Sequence, residues 1–146
     1  MKIEFLQDPR AEETLIRVIA AERSESVERL LADLEATYTD LVKGYDEERV
    51  VLLRPSDILR IYAEDARVWC QTEDGTYLVR SRLYEMEKRL DAQTFVRISK
   101  CELVNVHHIR HLDVSLSGTV GILLDGNVRT YTSRRYMKAI KAVFGL

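Results

Sequence analysis

The residues best suited to bind another molecule are cations and small polar side chains near the C-terminal end. They form two groups, Arg97, Ser99 and Lys100 in the first and Ser133, Arg134, Arg135 and Lys138 in the second. Guanidinium and ammonium groups neutralise phosphates, and hydroxyls hydrogen-bond to phosphate oxygens. Arginine can also bind the O6 and N7 atoms of guanine together. This pattern predicts contact with the phosphate backbone and base edges of a nucleic acid.

The charge is distributed unevenly along the chain. Residues 1–94 hold 14 basic and 21 acidic side chains, whereas residues 95–146 hold 8 basic and 3 acidic ones. The formal net charge of −2 therefore conceals an acidic first part and a basic last part. A polyanion is attracted to the basic part and repelled by the acidic one, which favours a nucleic-acid partner for the C-terminal region.

Other chemistries have little support in the sequence. No nucleophile elbow, phosphate loop, dinucleotide-binding turn or HExxH motif occurs. His107, His108 and His111 with Cys101 suggest a metal site, but no second cysteine or nearby carboxylate completes a tetrahedral set. We therefore predict neither an enzyme nor a cofactor, metal or small-molecule substrate. The absence of a secretory signal and of an apolar span predicts a cytoplasmic protein with reduced thiols.

The first 44 residues predict a small β-β-α extension. Residues 2–6 and 14–20 have the apolar and β-branched character of short strands. From Ser24 the apolar residues recur at helical spacing, with Ser24 or Ser26 as a candidate N-cap. Residues 44–48 are typical of a linker, so the predicted domains are 1–44 and 45–146. The helix can pack on its own strands or mediate dimerisation or a regulatory contact.

The remainder predicts a mainly β fold with short helices, of the α+β class. Predicted strands cover 49–53, 58–63, 68–72, 76–80, 109–114, 120–124 and 128–131, and predicted helices cover 83–90 and 136–144. The segment Glu73-Asp74-Gly75 is a typical hairpin turn, and Gly145 is a typical helix stop. The two groups of basic side chains lie in the segment before 109 and at the start of the last helix, and the fold must bring them together if they act on one ligand.

Five ordered motifs in residues 45–146 resemble a LytTR DNA-binding domain. They are 58–64, the hairpin 68–79, the helix 83–90, the pattern Phe95-x-Arg97-x-x-Lys100-x-x-Leu-Val-Asn105-x-x-x-Ile109, and Asp125-Gly126 with Ser133-Arg-Arg-Tyr136. The resemblance implies elongated β-sheets whose loops enter successive major grooves of duplex DNA. It also implies a bacterial transcription regulator, here of the small stand-alone type without a receiver domain.

The resemblance implies that Arg67, Lys100 and Arg135 contact bases. Many relatives have histidine at the position of Ser99, where this chain offers a hydroxyl for phosphate. Ser133, Arg134 and Lys138 begin the last helix, where free N–H groups favour phosphate. Arg97 and Arg80 are further phosphate candidates, although either can pair with an acidic neighbour. Asn105 is predicted to hydrogen-bond the backbone and fix its loop.

The expected partners follow from the same resemblance. We expect promoter DNA, with a homodimer on paired sites, and the likeness to stand-alone regulators implies a multi-span membrane protein that restrains the chain. One alternative is a LytTR-like interaction or inhibitor module that no longer binds DNA and uses its acidic half. Another is a small metal-dependent or nucleic-acid-processing enzyme, which only the histidine cluster supports.

Overall fold

The computed structural model describes residues 1–12, 14–38, 41–114 and 118–146, without the side chains of 36–38. The chain divides into two compact units, residues 1–38 and 39–146. Among the described residues, no helix has the length and apolar character needed to cross a bilayer.

In the N-terminal unit, helix α1 (Glu25–Tyr38) follows described residues that form neither helix nor strand. Ser24 begins the helix as predicted, because its Oγ accepts a 3.3 Å hydrogen bond from the Val27 N–H. The structure corrects the prediction of strands at 2–6 and 14–20, because neither segment forms a strand. A two-stranded ribbon needs a surface on which to bury one face. Within this unit that burial is missing, and Ile3 and Ile19 are each 86% exposed.

The described part of the second unit contains ten strands and two α-helices. The strands are β1 (Val42–Asp46), β2 (Arg49–Leu53), β3 (Ile58–Glu64), β4 (Arg67–Thr72), β5 (Thr76–Val79), β6 (Phe95–Ser99), β7 (Glu102–Asn105), β8 (Ile109–Asp113), β9 (Gly121–Leu124) and β10 (Val128–Tyr131). The helices are α2 (Leu83–Arg89) and α3 (Met137–Val143). The mainly β prediction with short helices is confirmed.

The strands form two antiparallel sheets, a large one in the order β2-β1-β5-β4-β3-β7-β6 and a small one in the order β10-β9-β8. The structure also corrects the prediction of a linker at 44–48. Gly44 lies inside β1, and residues 47–48 form the tight turn to β2. Gly44 is buried there, and a Cβ at this position would lie 2.7 Å from the Tyr77 Cβ, so close strand packing explains the glycine.

Two apolar clusters cover the two faces of the large sheet. On one face, Met86 of α2 packs with sheet residues that include Ile61 and Leu103. On the other face, Ile140 of α3 and Leu124 of the small sheet pack with Ile98 and others. Because β6 and β7 contribute to both clusters, their ends are anchored from both sides. This anchoring positions the basic loops described below.

Candidate nucleic-acid interface

Arg67 lies at the tip of a tight hairpin between β3 and β4. Glu64 pairs with Arg67, and only Asp65 and Ala66 lie between them. Both turn residues have positive φ, 52° and 61°, as a two-residue turn of this type requires. The register therefore fixes Arg67 at the end of the sheet, where its side chain is exposed.

Lys100 lies in the turn between β6 and β7. The Ser99 Oγ accepts a 3.1 Å hydrogen bond from the Cys101 N–H. The Arg97 Nη1 donates a 2.7 Å hydrogen bond to the Lys100 carbonyl, and its Nε pairs with Glu87 of α2. The side chains of Ser99 and Arg97 thus stabilise the turn, and the Lys100 ammonium remains exposed. Ser99 and Arg97 have a positioning contact in addition to any contact with phosphate.

The Arg67 hairpin and the Lys100 turn occupy the same end of the large sheet. Tyr62 pairs with Glu102, and the Ala63 N–H donates a 2.8 Å hydrogen bond to the Cys101 carbonyl. Arg67 follows that hairpin directly. A backbone ladder therefore holds the two cationic tips side by side.

Arg135 joins this end of the sheet through the backbone. The Ser133 N–H donates a 2.8 Å hydrogen bond to the Ile98 carbonyl at the end of β6. A 3-10 turn of Arg134–Tyr136 follows and leads into α3. Ser133 is two residues from Arg135, and Ile98 is two residues from Lys100, so the two basic segments meet here.

Arg134 and Lys138 lie near the same junction. The Arg134 guanidinium rests against Gly118, where a Cβ would lie 2.7 Å from its Nε. Gly118 has a φ of 80°, which also favours glycine. Lys138 is exposed on α3. Because Gly118 has no side chain, the Arg134 guanidinium can pack against its backbone.

Arg80 follows β5 beside the Arg67 hairpin. Val68 pairs with Val79, which places the residues just beyond each, Arg67 and Arg80, at the same end of the sheet. The Arg80 guanidinium stacks 3.9 Å from the centroid of the Tyr45 ring. This partner is aromatic rather than the acidic neighbour that was the sequence alternative, so the positive charge is not neutralised by it.

A buried polar network behind these loops was not predicted. The Arg60 Nη1 donates a 2.9 Å hydrogen bond to Glu102 Oε1, and its Nε donates a 2.6 Å bond to the Gln71 side chain. The Thr130 hydroxyl of the small sheet donates to the other Glu102 oxygen. Glu102 is 8% exposed, and its two carboxylate oxygens accept hydrogen bonds from one strand of each sheet, β3 and β10. The only sequence signal was a charged residue among apolar ones, which reveals burial but not the partner.

Asn105 and His108 connect the opposite end of the large sheet to its surroundings. Asn105 is 1% exposed, its Nδ2 donates 3.0 Å to the Ile58 carbonyl, and its Oδ1 accepts from the His107 N–H. The prediction that Asn105 fixes the loop backbone is therefore confirmed. His108 contacts Asp125 through Nδ1 at 2.9 Å and the Ser56 carbonyl through Nε2 at 2.5 Å.

The surroundings of His108 favour its charged form. Burial lowers its pKa, but hydrogen bonds to Ser56 and Asp125, together with the charges of Asp125 and Glu73, outweigh burial and raise the pKa above its ordinary value. Both ring nitrogens face acceptors, so an imidazolium with two N–H groups satisfies them best.

The cysteine and histidine side chains were the other candidates for chemistry in the sequence. Burial raises the pKa of the Cys70 thiol to about 12, which keeps it an unreactive core group. Within residues 1–12, 14–38, 41–114 and 118–146, no three His, Cys, Asp or Glu side chains are grouped to hold a metal ion.

The two antiparallel sheets and short helices match the fold of a LytTr DNA-binding domain. The family model of the LytTr DNA-binding domain matches residues 48–145. This chain belongs to the LytTR DNA-binding domain family, which is not a family of enzymes.

Relatives extend the match over nearly the whole chain. An uncharacterized HTH-type transcriptional regulator of Staphylococcus aureus strain NCTC 8325 is 31% identical over 144 residues, 97% of this chain and 96% of the relative. One from strain MRSA252 is 30% identical over the same shares. The solved LytTr DNA-binding domain of a putative methyl-accepting/DNA response regulator from Bacillus cereus has a TM-score of 0.70 at 22% identity. That match covers 73% of this chain and 97% of the solved one, and it supports the fold.

Proposed function

We propose that this chain is a transcription regulator that binds double-stranded promoter DNA in a sequence-specific manner, in the cytoplasm. The observation that carries the proposal is the backbone junction at one end of the large sheet. Two 2.8 Å hydrogen bonds, from Ala63 to Cys101 and from Ser133 to Ile98, hold three cationic segments together. Their tips carry Arg67, Lys100 and Arg135, all exposed.

The proposed role of each cation depends on whether its side chain projects from a turn or is held by other residues. Arg67, Lys100 and Arg135 project from backbone turns, and they are the proposed readers of base edges in the major groove. Arg80, Arg134 and Lys138 flank them as proposed phosphate contacts. The hydroxyls of Ser133 and Ser99 are proposed to hydrogen-bond the phosphate backbone of the DNA. Arg97, held by Glu87 and the Lys100 carbonyl, acts chiefly by positioning the turn.

Affinity then comes mainly from phosphate neutralisation and falls with salt. Each lost phosphate contact reduces the slope of log K against log salt by about 0.9. A lost bidentate contact to a base costs about 1–3 kcal/mol at one position of the site. The two classes of residue are therefore distinguishable by measurement.

Binding to duplexes selected from a random library by the wild-type protein tests the proposal. Lys100→Ala and Arg135→Ala should weaken the selected duplex far more than a scrambled one. Lys138→Ala should weaken both alike and lower the salt slope. Lys88→Ala, which removes an exposed cation from α2, is the matched control and should bind as wild type. Equal affinity for selected and scrambled duplexes would contradict the proposal.

The N-terminal unit favours a second role, a protein contact. Residues 1–38 hold nine acidic and five basic side chains, and Phe5, Leu6 and Leu15 are at least 69% exposed. Contiguous exposed apolar groups mark interaction surfaces, and Phe5 and Leu6 are adjacent in the sequence. We include restraint by a multi-span membrane protein in the proposal for this unit, and a homodimer on paired DNA sites in the proposal for the whole chain. Loss of regulation, with DNA affinity retained, after Phe5→Ser plus Leu15→Ser would support it, and unchanged regulation would contradict it.

A further inference from the structure

Strand β2 forms an open edge of the large sheet. It is the terminal strand, and its outer side pairs with no residue in the described part of the chain. Val50 and Leu52 are 55% and 59% exposed there. From Val50 to Leu53 the strand has neither a charge nor a proline. Natural edge strands usually carry such protection, because an apolar open edge is a template for another strand.

The register of the β1–β2 hairpin fixes which backbone groups point outward. A two-residue turn joins Asp46 to Arg49, and the residues flanking such a turn exchange both hydrogen bonds. Bonded pairs then alternate, so Arg49, Val51 and Leu53 direct their N–H and C=O groups toward β1. Val50 and Leu52 direct theirs to the open side.

We propose that β2 pairs antiparallel with β2 of a second copy of this chain, centred on Val51. In this register Val50 lies opposite the partner's Leu52, and Leu52 opposite the partner's Val50. The outward N–H and C=O groups of these residues then complete four hydrogen bonds between the copies. The side chains of Val50 and Leu52 share one face of the strand, so the pairing also joins four exposed apolar side chains into one cluster.

Charge complementarity supports this register. With Val51 at the centre, Glu48 lies opposite the partner's Arg54, and the two-fold axis repeats the pair. Both residues are exposed. Shifting the register by two residues in one direction sets Val50 against the partner's Arg54, and in the other direction sets Leu52 against the partner's Glu48. The register centred on Val51 matches apolar with apolar and acid with base.

The proposed pairing is a weak dimer in solution. Pairing two five-residue strands buries less surface than the roughly 1,200–2,000 Å² of a stable interface. Two neighbouring DNA sites raise the effective concentration of the second copy, so a weak contact contributes there as cooperativity. The inference goes beyond the proposed DNA binding and does not depend on it.

Sedimentation of the full chain over a range of concentrations, without DNA, tests the pairing. We expect a monomer–dimer equilibrium that Leu52→Lys weakens roughly tenfold or more, because a lysine on an edge opposes strand addition. Val114→Lys is the matched control, since Val114 is 57% exposed outside β2, and it should dimerise as wild type. A monomer at all concentrations, or a Leu52→Lys dimer as tight as wild type, would overturn the inference.

A charge exchange tests the register itself. Glu48→Arg and Arg54→Glu should each weaken self-association by roughly a factor of three, as expected for exposed charge pairs. An equimolar mixture of the two variants should form a heterodimer as tight as wild type, and the double variant should recover self-association. A mixture no tighter than the single variants would overturn this register. DNA affinity for a single site, measured in parallel, should not change with Leu52→Lys, which separates failure of the pairing from failure of the proposed DNA binding.

Discussion

The Ser133 N–H donates a 2.8 Å hydrogen bond to the Ile98 carbonyl. This bond attaches the segment that carries Arg135 to the end of the strand that leads to Lys100. Two cations thirty-five residues apart in sequence thereby become neighbours through backbone contacts. Side-chain substitutions can therefore remove either cation without breaking the frame that holds the other.

Removal of the Arg97 guanidinium should loosen the Lys100 turn. Arg97→Met keeps the aliphatic stem but loses the bonds to Glu87 and to the Lys100 carbonyl. We expect weaker binding to the selected duplex, with specificity reduced at the base that Lys100→Ala affects. A titration of matched and mismatched duplexes measures this. A uniform loss across all sequences would instead indicate that Arg97 contacts phosphate alone.

Loss of the Glu102 carboxylate should destabilise the domain. Glu102→Ala leaves the half-buried Arg60 guanidinium and the Thr130 hydroxyl without their acceptor, and we expect a loss of about 2–4 kcal/mol in unfolding free energy. Glu102→Gln keeps one acceptor and should cost less. Urea denaturation of both variants gives the comparison, and a cost for Glu102→Ala under about 0.5 kcal/mol, the range of ordinary surface changes, would argue against the network.

His108 should make the stability depend on pH. Its pKa is raised in the folded state, so its contribution is complete below the unfolded pKa of about 6.5 and disappears as the pH rises through the folded pKa. The difference in unfolding free energy between wild type and His108→Ala should therefore shrink from acid toward alkaline pH. A difference that grows with pH would refute the assignment.

Gly118→Ala should displace the Arg134 guanidinium. The substitution combines a φ of 80° with a Cβ 2.7 Å from the Arg134 Nε. We expect a loss of about 1–2 kcal/mol in stability and a smaller salt slope of DNA binding, since Arg134 is moved from its place. The variant Gly118→Ala/Arg134→Ala relieves the collision and should regain stability. Equal stability of the single and double variants would contradict the proposed contact.

Local patterns in the sequence predicted much of the fold. The sequence pattern located β2 to β5 and β8 to β10, and helical spacing located α1, α2 and α3. Asn105 was predicted to be structural because a small amide between two valines has backbone partners at hand. Gly44 misled the prediction of a linker, since a glycine that permits close packing in a strand resembles one in a loop.

The sequence alone did not predict the hydrogen-bond partners of the polar residues. Arg97 and Ser99 had the composition of phosphate ligands, and their contacts with Glu87 and the Cys101 N–H depend on the pairing of distant elements. The Arg60, Glu102 and Thr130 network spans two sheets, and periodicity reports which face is buried but not what lies across it.

Amide hydrogen exchange with and without a selected duplex tests the central claim most directly. The claim is that the hairpin at 64–67, the turn at 99–101 and the segment 133–136 face one duplex together. We predict simultaneous protection of all three segments on binding, with little change in α2. Protection of only one of the three segments, or of α2 in their place, would contradict a shared interface for Arg67, Lys100 and Arg135.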